Sequence, residues 1–115
     1  MSAYLLVALG GAIGSVARYG AYVALAGASG FPWGTLAVNY IGSFVIGIIA
    51  AAEPTPDARL FLMTGICGGF TTFSAFSLDT VSLMREGQMS KALAYVGASL
   101  VGCLAATYLG FRTRA

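Results

Sequence analysis

Asn39 is an uncharged primary amide in a run from residue 33 to 52 that contains no charged residue. Its side chain brings two N–H donors and a carbonyl acceptor. Thr35 and Ser43 stand four residues to either side, so one helix face would carry hydroxyl, amide and hydroxyl in succession. Tyr95, Ser99, Cys103 and Thr107 repeat the same spacing near the C-terminus. Single hydroxyls in apolar helices usually back-bond to the preceding turn or join helices. An amide at membrane depth needs more partners than that, and a stripe of such groups suits something polar that binds to it or moves past it.

A second cluster is GICGGFTTFSAF, residues 65–76. Gly65, Gly68 and Gly69 lower helix propensity and Thr71 and Thr72 add β-branching, so this stretch is expected to unwind. Unwinding frees N–H and C=O groups, which in hydrocarbon must be buried in protein, line a wet cavity or bind an ion. Phe70, Phe73 and Phe76 follow at three-residue spacing, with Phe73 and Phe76 close enough on one face to act together. A phenyl ring has a negative face and a positive edge. Ring edges can therefore face an anion without the full charge that would hold it too tightly.

These groups must be positioned by membrane helices. Of 115 residues, 58% are hydrophobic and only 9% charged, far from the roughly quarter-charged composition of a soluble domain. Charges and helix breakers divide the chain into spans over residues 4–26, 33–52, 60–84 and 92–111. The separators are a turn at residues 27–32, a proline-punctuated loop from Glu53 to Arg59 and the stretch Arg85-Glu86-Gly87-Gln88. The expectation is a single all-α, four-helix transmembrane domain over residues 1–115, with the third helix broken near its middle. No Lys or Arg precedes residue 18 and the first apolar run is long, so it reads as a retained span rather than a cleaved signal. Cys67 and Cys103 lie at membrane depth without a metal-binding spacing, and the chain has no histidine.

Four short helices cannot easily enclose a pathway, so association is expected. Ala98, Gly102, Ala106 and Gly110 form a small-residue stripe suited to close helix contact. With the N-terminus in the cytoplasm, that side would carry Arg59, Arg112 and Arg114, and the other Arg85 and Lys91. Orientation follows an excess of Lys and Arg in short loops, and here the excess is one charge. Insertion in both orientations would permit an antiparallel homodimer, which serves as an inverted repeat made from one sequence.

GGAIGSVARY (residues 10–19), GTLAVNYIGSFVIG (34–47) and GICGGFTTFSAF (65–76) together closely resemble the Fluc fluoride channels, also called CrcB. The third motif is the most specific, and the likeness covers nearly the whole chain. The resemblance implies an antiparallel, dual-topology homodimer in the cell membrane, with two fluoride pores and a structural sodium ion at the dimer centre. It implies pore roles for Asn39, Phe73, Phe76, Tyr95 and Ser99, and sodium contacts through the main-chain carbonyls of Gly68 and Thr71. Arg18 matches the arginine of the family's first helix. Arg18, Thr35, Ser43, Thr72 and Cys103 are further pore or vestibule candidates. Cys103 departs from the hydroxyl that family members can carry there, and Asp79 sits at a pore mouth or pairs with a loop cation.

The chemistry agrees with that implication. A small, strongly hydrated anion needs donors that replace water, yet conduction requires easy departure. A fixed cation in the pore would oppose departure, which favours a vestibule or structural role for Arg18, or snorkelling to an interface. The resulting expectation is passive fluoride export down its electrochemical gradient, with fluoride, membrane lipid and a second copy of the chain as partners and no nucleic acid. The rival reading is a small proton-coupled multidrug exporter, which would need a carboxylate deep in its first span, where this chain has none. A third reading, a non-transporting assembly subunit, leaves Asn39, Tyr95 and the phenylalanines unused. Without histidine, a paired intramembrane carboxylate or a nucleophile beside a base, no enzyme is expected.

Overall fold

The computed structural model describes residues 2–26 and 30–113 and is all-helical. The first helix, α1 (Ala3–Ala24), starts where Ser2 Oγ accepts from the Leu5 N–H at 3.1 Å, an N-cap that occupies one of the open donors of the first turn. The second, α2, spans Trp33–Ala51. The third span, Pro56–Arg85, is composite: α3 (Pro56–Arg59), a π-helical segment (Leu60–Cys67), α4 (Gly68–Phe70), an extended step at Thr71 and Thr72, and α5 (Phe73–Arg85). The last helix, α6 (Met89–Arg112), follows a tight turn. These four spans are long and apolar enough to cross a membrane. Of the expected separators, Gly27, Ala28 and Ser29 lie outside the described residues, as does the expected loop charge Arg114.

The third span begins one turn before Leu60. Pro56 occupies the first helical turn, where its missing N–H costs nothing, and Thr55 Oγ1 accepts from the Ala58 N–H at 3.2 Å. The loop from Glu53 to Arg59 is therefore shorter than its composition suggests. Between α5 and α6, Gly87 adopts φ 75°. The Gln88 N–H reaches the Leu83 carbonyl at 2.9 Å and the Gly87 N–H reaches Met84 at 3.1 Å, the paired bonds of a Schellman ending.

The break is present near the middle of the third span, but the glycines do not make it. Gly65, Gly68 and Gly69 are helical, while Thr71 (φ −85°, ψ 160°) and Thr72 (φ −151°, ψ 117°) are extended. Gly65 and Gly69 serve packing instead. A Cβ on Gly65 would stand 2.8 Å from the Gly10 Cα, and one on Gly69 would stand 2.6 Å from the Gly11 carbonyl oxygen. Gly65 and Gly69, with Gly10 and Gly14 of α1, where a Cβ would meet the Phe61 and Ile66 carbonyls, thus let α1 lie directly against the upstream half of the third span. The threonines supply both the extended preference and replacement hydrogen bonds. Thr71 Oγ1 donates to the Cys67 carbonyl at 3.0 Å, and Thr72 Oγ1 accepts from the Ala75 N–H at 3.1 Å, capping α5.

The other tight pair is α2 with α6. Gly47 faces the Thr107 backbone and Gly110 faces Phe44 and Ile48. Tyr40 Oη donates to the Ala98 carbonyl at 2.6 Å, with Gly102 leaving room for its ring. The small-residue stripe of α6 is therefore used at Gly102 and Gly110 within the chain, rather than as the free association surface expected of it. A core of Leu36, Phe76, Leu83, Ala92 and Tyr95 joins α2, α5 and α6. The outward surface remains apolar, with Tyr4, Val16, Val101 and Leu104 all exposed, as a chain solvated by lipid or by another apolar surface requires.

Candidate functional site

A cleft of about 420 Å³ opens where α2, the broken third span and α6 meet. From α2 come Asn39 and Ser43, from α4 Gly68, from the break Thr71 and Thr72, from α5 Phe73 and Phe76, and from α6 Ser99 and Cys103. Nine of the sequence-derived candidates thus share one space. No charged side chain lines it among the described residues. Its polar character comes from amide, hydroxyl, thiol and peptide groups, and α5 directs its positive helix end towards the break.

Asn39 is committed to the break. Its Oδ1 accepts from the Thr72 N–H at 2.8 Å and its Nδ2 donates to the Thr72 carbonyl at 3.1 Å. One N–H of the amide remains beyond that pair. Ser99 is only 6% exposed, and its Oγ has no hydrogen-bond partner among the described residues. A buried hydroxyl left this way costs about 1–3 kcal/mol, which marks Ser99 as a group that a polar occupant of the cleft would satisfy.

The two phenylalanines are adjacent, with ring centroids 5.4 Å apart and planes at 53°. Phe73 is 74% exposed at the open side of the cleft, while Phe76 is buried. Phe76 in turn lies 5.2 Å from the Tyr95 ring. Tyr95 is fully buried and does not line the cleft; its Oη donates to Asp79 Oδ2 at 3.1 Å. It stands behind Phe76, so its hydroxyl is engaged with a carboxylate that the sequence reading placed at a mouth or beside a loop cation.

Thr35 and Arg18 also lie elsewhere. Thr35 is buried and shares a 3.2 Å hydrogen bond with Tyr22 Oη. Both line a second cavity of about 350 Å³ that also contains Asp79 and Trp33. Arg18 is half-buried, with its Nε donating to the Gly69 carbonyl at 3.0 Å. Sequence reasoning did not anticipate Tyr22, Met63 or Cys67 as lining groups. Met63 and Cys67 sit four residues apart, a spacing that puts both on one helix face, so their shared wall was legible from position although neither side chain is a strong polar signal.

Comparisons with known proteins match nearly the whole chain to one family. The family described as "CrcB-like protein, Camphor Resistance (CrcB)" matches residues 5–111. A protein from Opitutus terrae named fluoride-specific ion channel FluC is 49% identical over 120 aligned positions, which cover 96% of this chain and 90% of the relative. A protein of the same name from Thermus thermophilus is 48% identical, covering 97% of this chain and 94% of its own length. Another from Agrobacterium fabrum is 50% identical, covering 91% and 90%.

Proposed function

The chain belongs to the CrcB family, a family of ion channels rather than enzymes, and from that premise we propose that it is a passive, selective fluoride channel. The observation that carries this reading is a cleft without charge among the described residues, in which the Ser99 hydroxyl, with no partner among them, stands with the Phe73 and Phe76 rings. Donors without a fixed cation can replace part of an anion's hydration while leaving it free to depart. The cleft also lacks a titratable carboxylate among the described residues, which a proton-coupled exporter would require.

The working unit in this proposal is an antiparallel homodimer in the cell membrane with two pores, exporting fluoride from the cytoplasm down its electrochemical gradient. The exposure of Phe73 at the open side of the cleft supports a second copy completing each pathway. The break also suits a hard monovalent cation. Its hydrogen bonds use the carbonyls of Cys67, Gly69 and Thr72, and among the described residues none reaches those of Gly68 or Thr71. Two such breaks facing each other would offer four neutral oxygens to sodium, whose resident charge would hold the two chains together.

The test is ion efflux from liposomes containing the purified protein, with fluoride and chloride compared. Fluoride release should follow the electrochemical gradient, require a potassium ionophore for charge balance, and proceed without a proton gradient. Equal chloride release, or fluoride release that depends on proton coupling, would reject the proposal.

A further inference from the structure

Asn39 lines the cleft, yet both ends of its amide are used by one backbone residue. Its Oδ1 accepts from the Thr72 N–H at 2.8 Å and its Nδ2 donates to the Thr72 carbonyl at 3.1 Å. Thr72 is the last extended residue before α5, and Phe73 begins the helix. At a helix break the backbone groups lose their ladder partners, and inside a membrane no solvent replaces them. The Asn39 amide supplies a donor and an acceptor in the arrangement a neighbouring peptide would offer. One turn further along α2, Gly42 packs against the Thr71 side chain and would hold a Cβ only 3.3 Å from the Phe70 ring. The same face of α2 thus grips the break at two successive turns.

We propose that Asn39 is a positioning residue: its side chain stands in for the missing helical peptide at Thr72 and fixes the direction in which α5 presents Phe73 and Phe76. The inference rests on the channel reading above and assigns Asn39 an action through Thr72 rather than as a direct anion ligand. A ligand role would require the amide to exchange its backbone partners for the ion or to act with its remaining N–H alone. A positioning role requires that both Thr72 bonds persist whether fluoride is present or absent.

The test is a double-substitution cycle in which Asn39→Ala is combined with replacement of the Thr72 peptide N–H by an ester oxygen, which leaves every side chain intact. Each single change should lower fluoride efflux by about tenfold, since each leaves a polar group unmatched in the break. Together they should do no more than Asn39→Ala alone, because the bond the ester removes is one of the two that Asn39→Ala already removes. Native efflux from the ester protein alongside an impaired Asn39→Ala, or losses that multiply, would overturn the proposal. Where Asn39→Ala does not fold, the near-isosteric Asn39→Leu, which removes donor and acceptor alike, takes its place.

An isotope-edited infrared band from a ¹³C-labelled Thr72 carbonyl provides a measurement independent of conduction. Removing the Asn39 donor should raise its frequency, while adding fluoride to the native protein should leave it unchanged. A band that ignores Asn39, or moves with fluoride, would reject the clamp. Absence of fluoride efflux from the native protein would reject the channel reading, and the infrared comparison would still decide the role of Asn39.

Discussion

The Arg18 side chain donates from Nε to the Gly69 carbonyl at 3.0 Å, tying the charge of the first span to the end of the helix that precedes the break. Carbonyls at a helix C-terminus carry the negative end of the dipole and lack intrahelical donors. A guanidinium there answers both needs, and its place is outside the lining of the cleft. Replacing Arg18 by Leu should destabilise the protein by about 1.5–3 kcal/mol, the contribution of a hydrogen bond to a charged group. Thermal denaturation in detergent measures that loss. The fluoride-to-chloride ratio of the folded remainder should stay as in the native protein, and a changed ratio would place Arg18 in the permeation path.

Phe73→Ile and Phe76→Ile separate ring chemistry from packing. Both keep the site apolar and remove the positive edges, so each should lower fluoride efflux by about tenfold, equivalent to roughly 1.4 kcal/mol in the barrier. Phe76→Ile should also lower the stability of the single chain, because Phe76 is buried within it against Tyr95. Native flux in both variants would exclude the ring edges from permeation.

Ser99→Ala should move stability and transport in opposite directions. Removing a buried hydroxyl that has no partner among the described residues is neutral to stabilising for the fold, whereas an anion in the cleft loses a donor. A melting temperature at or above native with slower efflux is the expected pair of results. Unchanged efflux would free Ser99 from any role in the pathway.

Loop charge gives a test of topology. Two or three lysines added between Glu53 and Thr55 should drive the chain towards one orientation, since the loop excess inferred from the sequence is one charge. If the pores need an antiparallel pair, activity should fall and return on co-expression with a variant biased the other way by lysines near Glu86. Labelling of an added C-terminal cysteine from one membrane face only in the native protein would defeat the dual-topology proposal.

The spans and the polar stripes were readable because hydropathy and helical spacing are local properties. Asn39, Ser43, Ser99 and Cys103 reach one cleft through periodicity already present in α2 and α6. The position of the break was less legible, since glycine's low propensity competes with its value in close packing, and contact with Gly10 and Gly11 decides that contest. Tyr95 kept its stripe spacing, but the bond to Asp79 depends on how α5 lies against α6. The same limit applies to Arg18, whose partner is 51 residues away.

The π-helical segment Leu60–Cys67 sets the angular phase of everything downstream in the third span. Its wider turns let Gly65 face α1 while Met63 and Cys67 face the cleft. Deleting one residue between Leu60 and Met63 would be absorbed as the segment relaxes to α geometry, because a π turn holds about one residue more than an α turn, whereas one residue inserted there would turn the downstream helix by about 100°. Gly69 would then leave the Arg18 side and Phe73 would face away from Ser99, so this stretch behaves as a timing element in which chain length, more than side-chain identity, keeps two walls of the cleft in step.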